Sequence, residues 1–314
     1  MTGLLAATLA ASLAAGCTTS DGPRDDGRGR SSSPAGDGES PAKGGSVLAV
    51  KIDNSRNARP HTGLNEADIV YVEPVEGGLS RLMAVYAQKL PKAVGPVRSA
   101  RETDLELLRQ FDRPTLAFSG AQSKLLPKID KAPLEAAPPG KASTAYFRSK
   151  MRPSPHNLYL RPNLLMAKPP GTAALTTGFR FGSAPAGGEP TTTQKVTYDA
   201  ARYTFTWSSS QGRWQVGMDG KAAGTTDGKR VMAGTVVVQY VKVRTSTFHD
   251  KLGHYTPYTE TVGSGKARVL RDGRAYDVKW KRAKATDGTT FTTNSGKRMN
   301  FQHGQVWVVF ANAS

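Results

Sequence analysis

Cysteine is almost absent from this chain, which has a single one, Cys17, among its 314 residues. One cysteine permits neither an intramolecular disulfide nor a cysteine-based metal cluster, so the hydrophobic core must hold the folded part together. Long uncharged apolar runs are also missing after Cys17, so the sequence predicts no later membrane-spanning helix. Acidic residues are few, since 25 Asp and Glu stand against 43 Lys and Arg, and the formal net charge is +18.

The segment before Cys17 has the composition of a signal peptide. Residues 4–16 are only Leu, Ala, Thr, Ser and Gly, and this stretch is too short for a membrane-spanning helix of about 20 residues. Small residues directly before a cysteine are typical of bacterial lipoproteins, in which Cys17 would carry the acyl chains. The segment therefore predicts a lipid-anchored protein at the extracytoplasmic face of the cell membrane. An ordinary signal peptide with a chance cysteine, or a buried helix, is the alternative.

Residues 18–46 contain no large apolar side chain and are rich in Gly, Ser, Pro and Asp. Such a segment cannot bury a core, which predicts a disordered tether. The tether has four basic and five acidic residues, so the positive charge belongs to the folded part. That charge favours anionic partners. An exported lipoprotein rarely meets nucleic acid, so we expect an anionic cell-wall polymer or an envelope protein as partner; general solubility is the alternative explanation.

From residue 47 onward the pattern becomes that of a globular protein. Short apolar runs, the first at 46–52, predict buried strands. The segment 101–111 has apolar residues at helical spacing, and Ser99 with Glu102 forms a capping-box pattern at its start. Strands interleaved with helices predict a mixed α/β N-terminal domain over 47–185.

A linker-like stretch at 182–194 precedes a part of the chain with alternating apolar and polar residues. Asp272–Gly273 between two such runs is a strong hairpin signal. We predict a mostly β C-terminal domain over 195–314, and for the whole chain an α+β fold. Four tryptophans fall on predicted strands, where they are expected to pack in the core: Trp207, Trp214, Trp280 and Trp307.

The densest polar sequence lies between Asp53 and Asp104, and several short motifs here and later in the chain resemble one known family. The motifs are IDN (52–54), RPHTGL (59–64), ADIVY (67–71), VEGGLSR (75–81), VGPVRSAR (94–101), PHNLY (155–159), VGSGKARVLRDGR (262–274) and GQVWV (304–308). They are similar to the YerB-like bacterial lipoproteins, which carry the domain of unknown function DUF3048. The resemblance implies a two-domain envelope lipoprotein and no established reaction. Relatives often have Tyr-Glu where this chain has Tyr71-Val72, so its acid, Glu73, is shifted to the opposite strand face.

The segment after Pro96 predicts a receptor for an anion. Arg98 and Arg101 flank the start of the predicted helix, where free amides and the helix dipole favour phosphate or carboxylate. The alternative is a structural network in which internal carboxylates neutralise the arginines. The candidate ligand-binding residues are Asp53, Asn54, Arg59, Glu76, Arg81, Arg98, Ser99, Arg101, Asp104, His156 and Asn157.

Catalysis is the competing hypothesis, as a cell-wall hydrolase or transferase that uses Asp53, Glu76 and Asp104. Two carboxyl groups at the right distance could cleave a glycosidic bond, but neighbouring arginines would keep them ionised and disfavour a general acid. Ser99 or Ser119 with His156 could form a nucleophile and base, although neither serine lies in a Gly-x-Ser-x-Gly motif. The histidines lack a usual zinc spacing, so we expect no metal and no other cofactor. Binding or scaffolding in the envelope is the preferred prediction.

Overall fold

A computed structural model describes residues 46–250 and 253–313. Cys17 and the predicted signal peptide and tether lie outside the described residues. Within those two ranges, no helix has the length and apolar character needed to cross a membrane.

The described residues form many short strands and a few short helices. In chain order the strands are β1 (Leu48–Asp53), β2 (Ile69–Pro74), β3 (Ser80–Tyr86), β4 (Thr115–Ala117), β5 (Glu135–Ala136), β6 (Tyr146–Arg148), β7 (Leu158–Leu160), β8 (Arg180–Phe181), β9 (Glu189–Pro190), β10 (Thr193–Thr197), β11 (Arg202–Ser208), β12 (Arg213–Met218), β13 (Lys221–Ala222), β14 (Met232–Ala233), β15 (Thr235–Val241), β16 (Val243–His249), β17 (Tyr255–Thr259), β18 (Gly263–Arg271), β19 (Arg274–Arg282), β20 (Thr290–Thr293), β21 (Asn300–Phe301) and β22 (Val306–Asn312). The α-helices are α1 (Glu102–Leu107) and α2 (Leu126–Lys131). Short 3-10 helices lie at Arg56–Ala58, Leu64–Glu66, Glu76–Gly78, Leu108–Gln110, Ser143–Ala145, Pro162–Leu164 and Thr172–Ala174.

The described part of the protein is mostly β, with 43% of its residues in strands and 12% in helices. The predicted α+β class is met only loosely, because α1 and α2 have six residues each. The helix predicted over 101–111 is α1 followed by a 3-10 turn. Its predicted capping box of Ser99 and Glu102 is wrong. Arg101 is the N-cap residue, and its backbone N–H donates to Asp104 Oδ2 at 2.7 Å.

Eleven strands form the main sheet, in the order β20-β19-β18-β15-β22-β2-β3-β1-β4-β5, with β9 paired to β19. The last strand, β22, is inserted between β2 and β15 and runs parallel to both. The segments predicted as an N-terminal and a C-terminal domain thus share one sheet. Strands β18 and β19 are joined by the predicted hairpin turn, in which Asp272 and Gly273 both have positive φ.

The two faces of the main sheet have different coverings. One face packs against α1 and α2, and its core includes Ala49, Met83 and Leu107. The other face packs against a second sheet of β10–β14, where Trp307 of the main sheet contacts Phe205. Trp214 and Trp307 are buried in the core between the two sheets, where Trp207 is partly buried, and Trp280 is buried on the helix-covered face.

Side chains alternate between these faces along each strand. On β1, Lys51 continues the row of Ala49 on the helix-covered face, whereas Ile52 packs toward the second sheet. On β3, Arg81 is in the same row as Met83 on the helix-covered face. The polar ends of β1 and β3 are therefore divided between two separate environments, one on each face of the main sheet.

Candidate functional site

A cleft of about 640 Å³ lies where β1 ends and β3 begins, on the helix-covered face of the main sheet. The hairpin of β16 and β17 forms one wall of the cleft, and the start of α2 forms another. Seven of the predicted site residues line it: Asp53, Glu76, Arg81, Arg98, Ser99, Arg101 and His156. The arginine-rich motif reaches the cleft because its backbone pairs with the end of β1, where Arg98 N–H donates to Lys51 O at 2.8 Å.

Arg101 and Glu76 form a two-pronged ion pair in this cleft. Arg101 Nε lies 2.6 Å from Glu76 Oε1, and Arg101 Nη2 lies 2.8 Å from Oε2. The Thr256 hydroxyl on β17 also donates to Oε1. Burial disfavours the charged carboxylate, but the hydrogen bonds and charge of Arg101 outweigh it and lower the pKa of Glu76. Glu76 is therefore ionised and fully engaged.

Asp53 has a similar set of partners at the end of β1. Its Oδ1 accepts a hydrogen bond from Ser55 N–H at 3.0 Å, and its Oδ2 lies 2.8 Å from His156 Nδ1 and 3.5 Å from Arg98 Nε. Burial opposes ionisation of this carboxyl, but these contacts outweigh it and lower its pKa. Asp53 is therefore a second ionised carboxylate with a cation beside it.

Arg81 has no such partner. Its Nη1 donates to the backbone carbonyl of Ser99 at 3.3 Å. Among residues 46–250 and 253–313, no carboxylate oxygen lies within 4.0 Å of its guanidinium nitrogens. Burial, together with the positive charges of Arg101 and Arg98, lowers the pKa of Arg81 to about 10, and the Glu76 and Asp53 carboxylates offset this only in part. The side chain remains charged at neutral pH, in a place that is unfavourable for a cation.

Two further acids at the rim of the cleft have other partners. Glu102 lies 3.4 Å from Lys128 Nζ and accepts a hydrogen bond from Ser246 Oγ at 2.7 Å. Asp250 accepts a hydrogen bond from His254 N–H at 2.9 Å. In the described structure, neither Glu102 nor Asp250 is in ion-pair contact with Arg81.

Asn54 and Arg59 lie on the other side of the main sheet, away from the cleft. Asn54 Nδ2 donates to Ser80 Oγ and to the Tyr203 hydroxyl, which belongs to the second sheet. Arg59 Nε donates to Asn54 Oδ1 at 3.0 Å, and its Nη1 lies 2.9 Å from Asp219 Oδ2. These contacts join the end of β1 to the second sheet.

Asp104 and Asn157 also lie outside the cleft. Asp104 is fully buried and accepts a hydrogen bond from Lys51 Nζ at 2.7 Å. Asn157 Oδ1 accepts one from Arg148 Nη1 at 2.6 Å, in the connection between β6 and β7. Asp104 therefore has a structural environment, in which it binds both Lys51 and the backbone N–H of Arg101, the N-cap residue of α1.

Sequence reasoning missed Lys51, although a lysine within the apolar run of β1 was a signal. Lys51 is fully buried, and its Nζ lies 3.0 Å from Glu73 Oε2 as well as near Asp104. Neither Glu73 oxygen has a partner with hydrogen-bond geometry among the described residues. Burial raises the pKa of Glu73, the Lys51 ammonium offsets this only partly, and the Asp104 carboxylate adds to it. Glu73 faces the same side as Arg81 but does not line the cleft.

In the described structure, His156 and the predicted serines do not form a catalytic triad. His156 uses one nitrogen, Nδ1, toward both Asp53 and Ser55 Oγ, at 2.8 and 3.2 Å, whereas a catalytic triad needs two different ring nitrogens. Ser99 Oγ lies 3.5 Å from Ser119 Oγ, and no contact of either hydroxyl with His156 occurs in the described structure. Across the described ranges, no three His, Cys, Asp or Glu side chains are grouped as metal ligands would be.

Comparisons with known proteins agree with the resemblance found in the sequence. Residues 34–174 match the family described as "Protein of unknown function (DUF3048) N-terminal domain", and residues 194–308 match the corresponding C-terminal domain. The Bacillus subtilis (strain 168) protein named "Putative lipoprotein YerB" is 45% identical over 65 residues, which are 21% of this chain and 20% of that protein. The alignment therefore spans about a fifth of that relative's length. The crystal structure of the YerB protein from Bacillus subtilis matches with a TM-score of 0.70 and 20% identity, over 86% of this chain and 92% of that one, which shows a shared fold.

Proposed function

This chain belongs to the DUF3048 family, and we propose that it is a binding protein of the cell envelope, which holds an anionic group in its arginine-lined cleft. The anionic group is a phosphate or carboxylate of a cell-wall polymer or of an envelope protein. Guanidinium groups bind both oxyanions in a planar, two-pronged geometry.

The location follows from the N-terminal sequence and from the similarity to a protein named as a lipoprotein. Acylation of Cys17 would fix the protein to the extracytoplasmic face of the cell membrane, since two or more acyl chains give stable anchoring. The tether at 18–46 would let the folded part reach about 30 Å from the bilayer, from roughly 5–6 Å times the square root of the residue number.

The observation that carries the proposal is that Arg81 has no carboxylate in ion-pair contact among the described residues. A partly buried cation without such a contact is costly, and two neighbouring guanidiniums add repulsion. An oxyanion in the cleft would remove this cost, because it could accept hydrogen bonds from Arg81 and neutralise its charge. The net charge of +18 supports the same partner class, since it attracts anionic polymers over a long range.

The test is binding of the unacylated full chain, Cys17→Ser, to isolated cell envelopes at about 0.3 M salt, where long-range attraction is screened. Arg81→Gln is compared with Arg109→Gln, since Arg109 is exposed and lies outside the cleft. Each variant removes one positive charge, so their difference isolates the site. We expect binding to fall at least tenfold for Arg81→Gln and to stay within twofold for Arg109→Gln. Equal binding by the two variants would overturn the proposal.

A further inference from the structure

We infer that the anionic group in the cleft carries a single charge and is attached to an apolar group, so that the part of the polymer or protein bound in the cleft is a small anionic amphiphile. The inference rests on the proposed function and specifies its ligand. The shared chemistry is that of an alkyl carboxylate or of an alkyl phosphodiester.

The single charge follows from the ions within the cleft. Arg101 is paired with Glu76, and Arg98 lies beside Asp53. Both carboxyl groups have lowered pKa values and are ionised. Arg81 is the cation left over among these five side chains. One negative charge on the ligand would therefore balance these five side chains, whereas a dianion would leave them with an excess of negative charge in a partly buried place.

The apolar group follows from the size and lining of the cleft. Its volume of about 640 Å³ is typical of sites for small organic molecules, which span roughly 300–1,000 Å³. A lone oxyanion at the arginines would fill only part of this space. The remaining wall includes four apolar side chains from three segments of the chain: Val75, Leu79, Leu125 and Phe248.

Leu79 is the most exposed of these four apolar side chains. Its side chain is 42% exposed, whereas Val75, Leu125 and Phe248 are buried. Leu79 has extended backbone directly before β3, so its side chain lies on the same side of the chain as that of Arg81. Two residues of extended chain span roughly 7 Å. An apolar group within a few methylenes of the oxyanion could therefore cover Leu79 while Arg81 binds the charge.

The experiment measures dissociation constants by isothermal titration calorimetry for two ligand series. One series is acetate, butyrate, hexanoate and octanoate; the other is dimethyl, diethyl and dibutyl phosphate. The protein is the unacylated full chain, which needs no detergent to compete with the ligands. Leu79→Ser tests the wall, and Leu164→Ser is the matched control, because Leu164 is 50% exposed and lies outside the cleft.

We expect affinity to rise about two- to fourfold per added methylene, as burial of a CH₂ group predicts, in the series whose head group fits best. Leu79→Ser should flatten this dependence to less than about 1.5-fold per methylene and still bind the shortest ligand, whereas Leu164→Ser should behave as the parent. If affinity does not depend on chain length, or if Leu79→Ser leaves the dependence unchanged, the inference is wrong and the proposed function still stands. If no ligand of either series binds, both fail.

Discussion

Arg81 and Asp53 are directly opposite each other on β3 and β1, yet they do not form an ion pair. The Asp53 carboxylate is bound instead by Ser55 and His156 and lies beside Arg98. Cross-strand neighbours of opposite charge normally stabilise a sheet. Here the Asp53 carboxylate is bound by other residues, so Arg81 has no ion-pair partner among the described residues.

Arg81→Gln should leave the free energy of unfolding unchanged within about 1 kcal/mol, or raise it slightly, because it removes a partly buried cation that has no ion-pair contact among the described residues. Urea denaturation of the unacylated full chain measures this. A loss of more than about 2 kcal/mol would show that Arg81 is a structural residue, and the ligand argument would lose its basis.

Arg101→Gln should behave in the opposite way. It leaves the largely buried Glu76 carboxylate with the Thr256 hydroxyl and without its cation, so we expect a loss of about 2–4 kcal/mol. The same urea experiment applies. Arg109→Gln is the control for removal of one surface charge and should stay within about 0.5 kcal/mol of the parent. Similar stabilities for the two variants would contradict the ion-pair assignment.

Glu73→Gln should change the pH dependence of stability. The pKa of Glu73 is raised in the folded protein from an ordinary value of 4.5. As pH rises above 4.5, the unfolded chain releases this proton while the folded chain keeps it, so the parent loses stability until Glu73 ionises in the fold. Glutamine has no such proton, so the variant should gain on the parent by up to about 1 kcal/mol per pH unit.

Urea denaturation at several pH values between about 5 and 8 measures the gain. At the acidic end the two proteins should differ by less than about 1 kcal/mol, because glutamine resembles the protonated acid. Parallel pH profiles for the parent and Glu73→Gln would refute the raised pKa.

Lys51→Met should lower the free energy of unfolding by about 3–5 kcal/mol, because it leaves the Asp104 carboxylate buried without the Lys51 ammonium.

Cys17→Ser should release the protein from the membrane without unfolding it. The acyl chains would be its anchor, and the core of the described residues lies beyond the tether. Cell fractionation should find the variant in the soluble extracytoplasmic fraction, with the thermal unfolding midpoint of the acylated form. A variant that stays in the membrane fraction would show that another segment is the anchor.

Local features of the fold were predictable from the sequence. The apolar runs at β1 and β3 and the turn at Asp272–Gly273 have signals within a few residues. The insertion of β22 between β2 and β15 has no local signal, because it depends on pairing between segments more than 200 residues apart. For this reason the sequence predicted two domains and gave no sign of the sheet that joins them.

The motifs indicated several residues of the cleft. Which residues of a motif line the cleft depends on the strand face that each one occupies. Asp53 and Asn54 are neighbours in one motif, but alternation along the strand sends Asp53 into the cleft and Asn54 toward Tyr203. A sequence motif does not indicate this separation unless the exact residue at which the strand ends is known. The sequence also could not predict that Arg81 lacks a carboxylate partner among the described residues, since this depends on which carboxylate each arginine contacts in three dimensions.

The most direct measurement is the NMR signal of the Arg81 guanidinium, assigned by its loss in Arg81→Gln, during titration with butyrate or diethyl phosphate. The account predicts a saturable shift of the Arg81 Nε–H resonance, with the resonance of the exposed Arg109 unchanged. Contradiction would come from an Arg81 resonance that does not move, or that moves only as far and as linearly as that of Arg109.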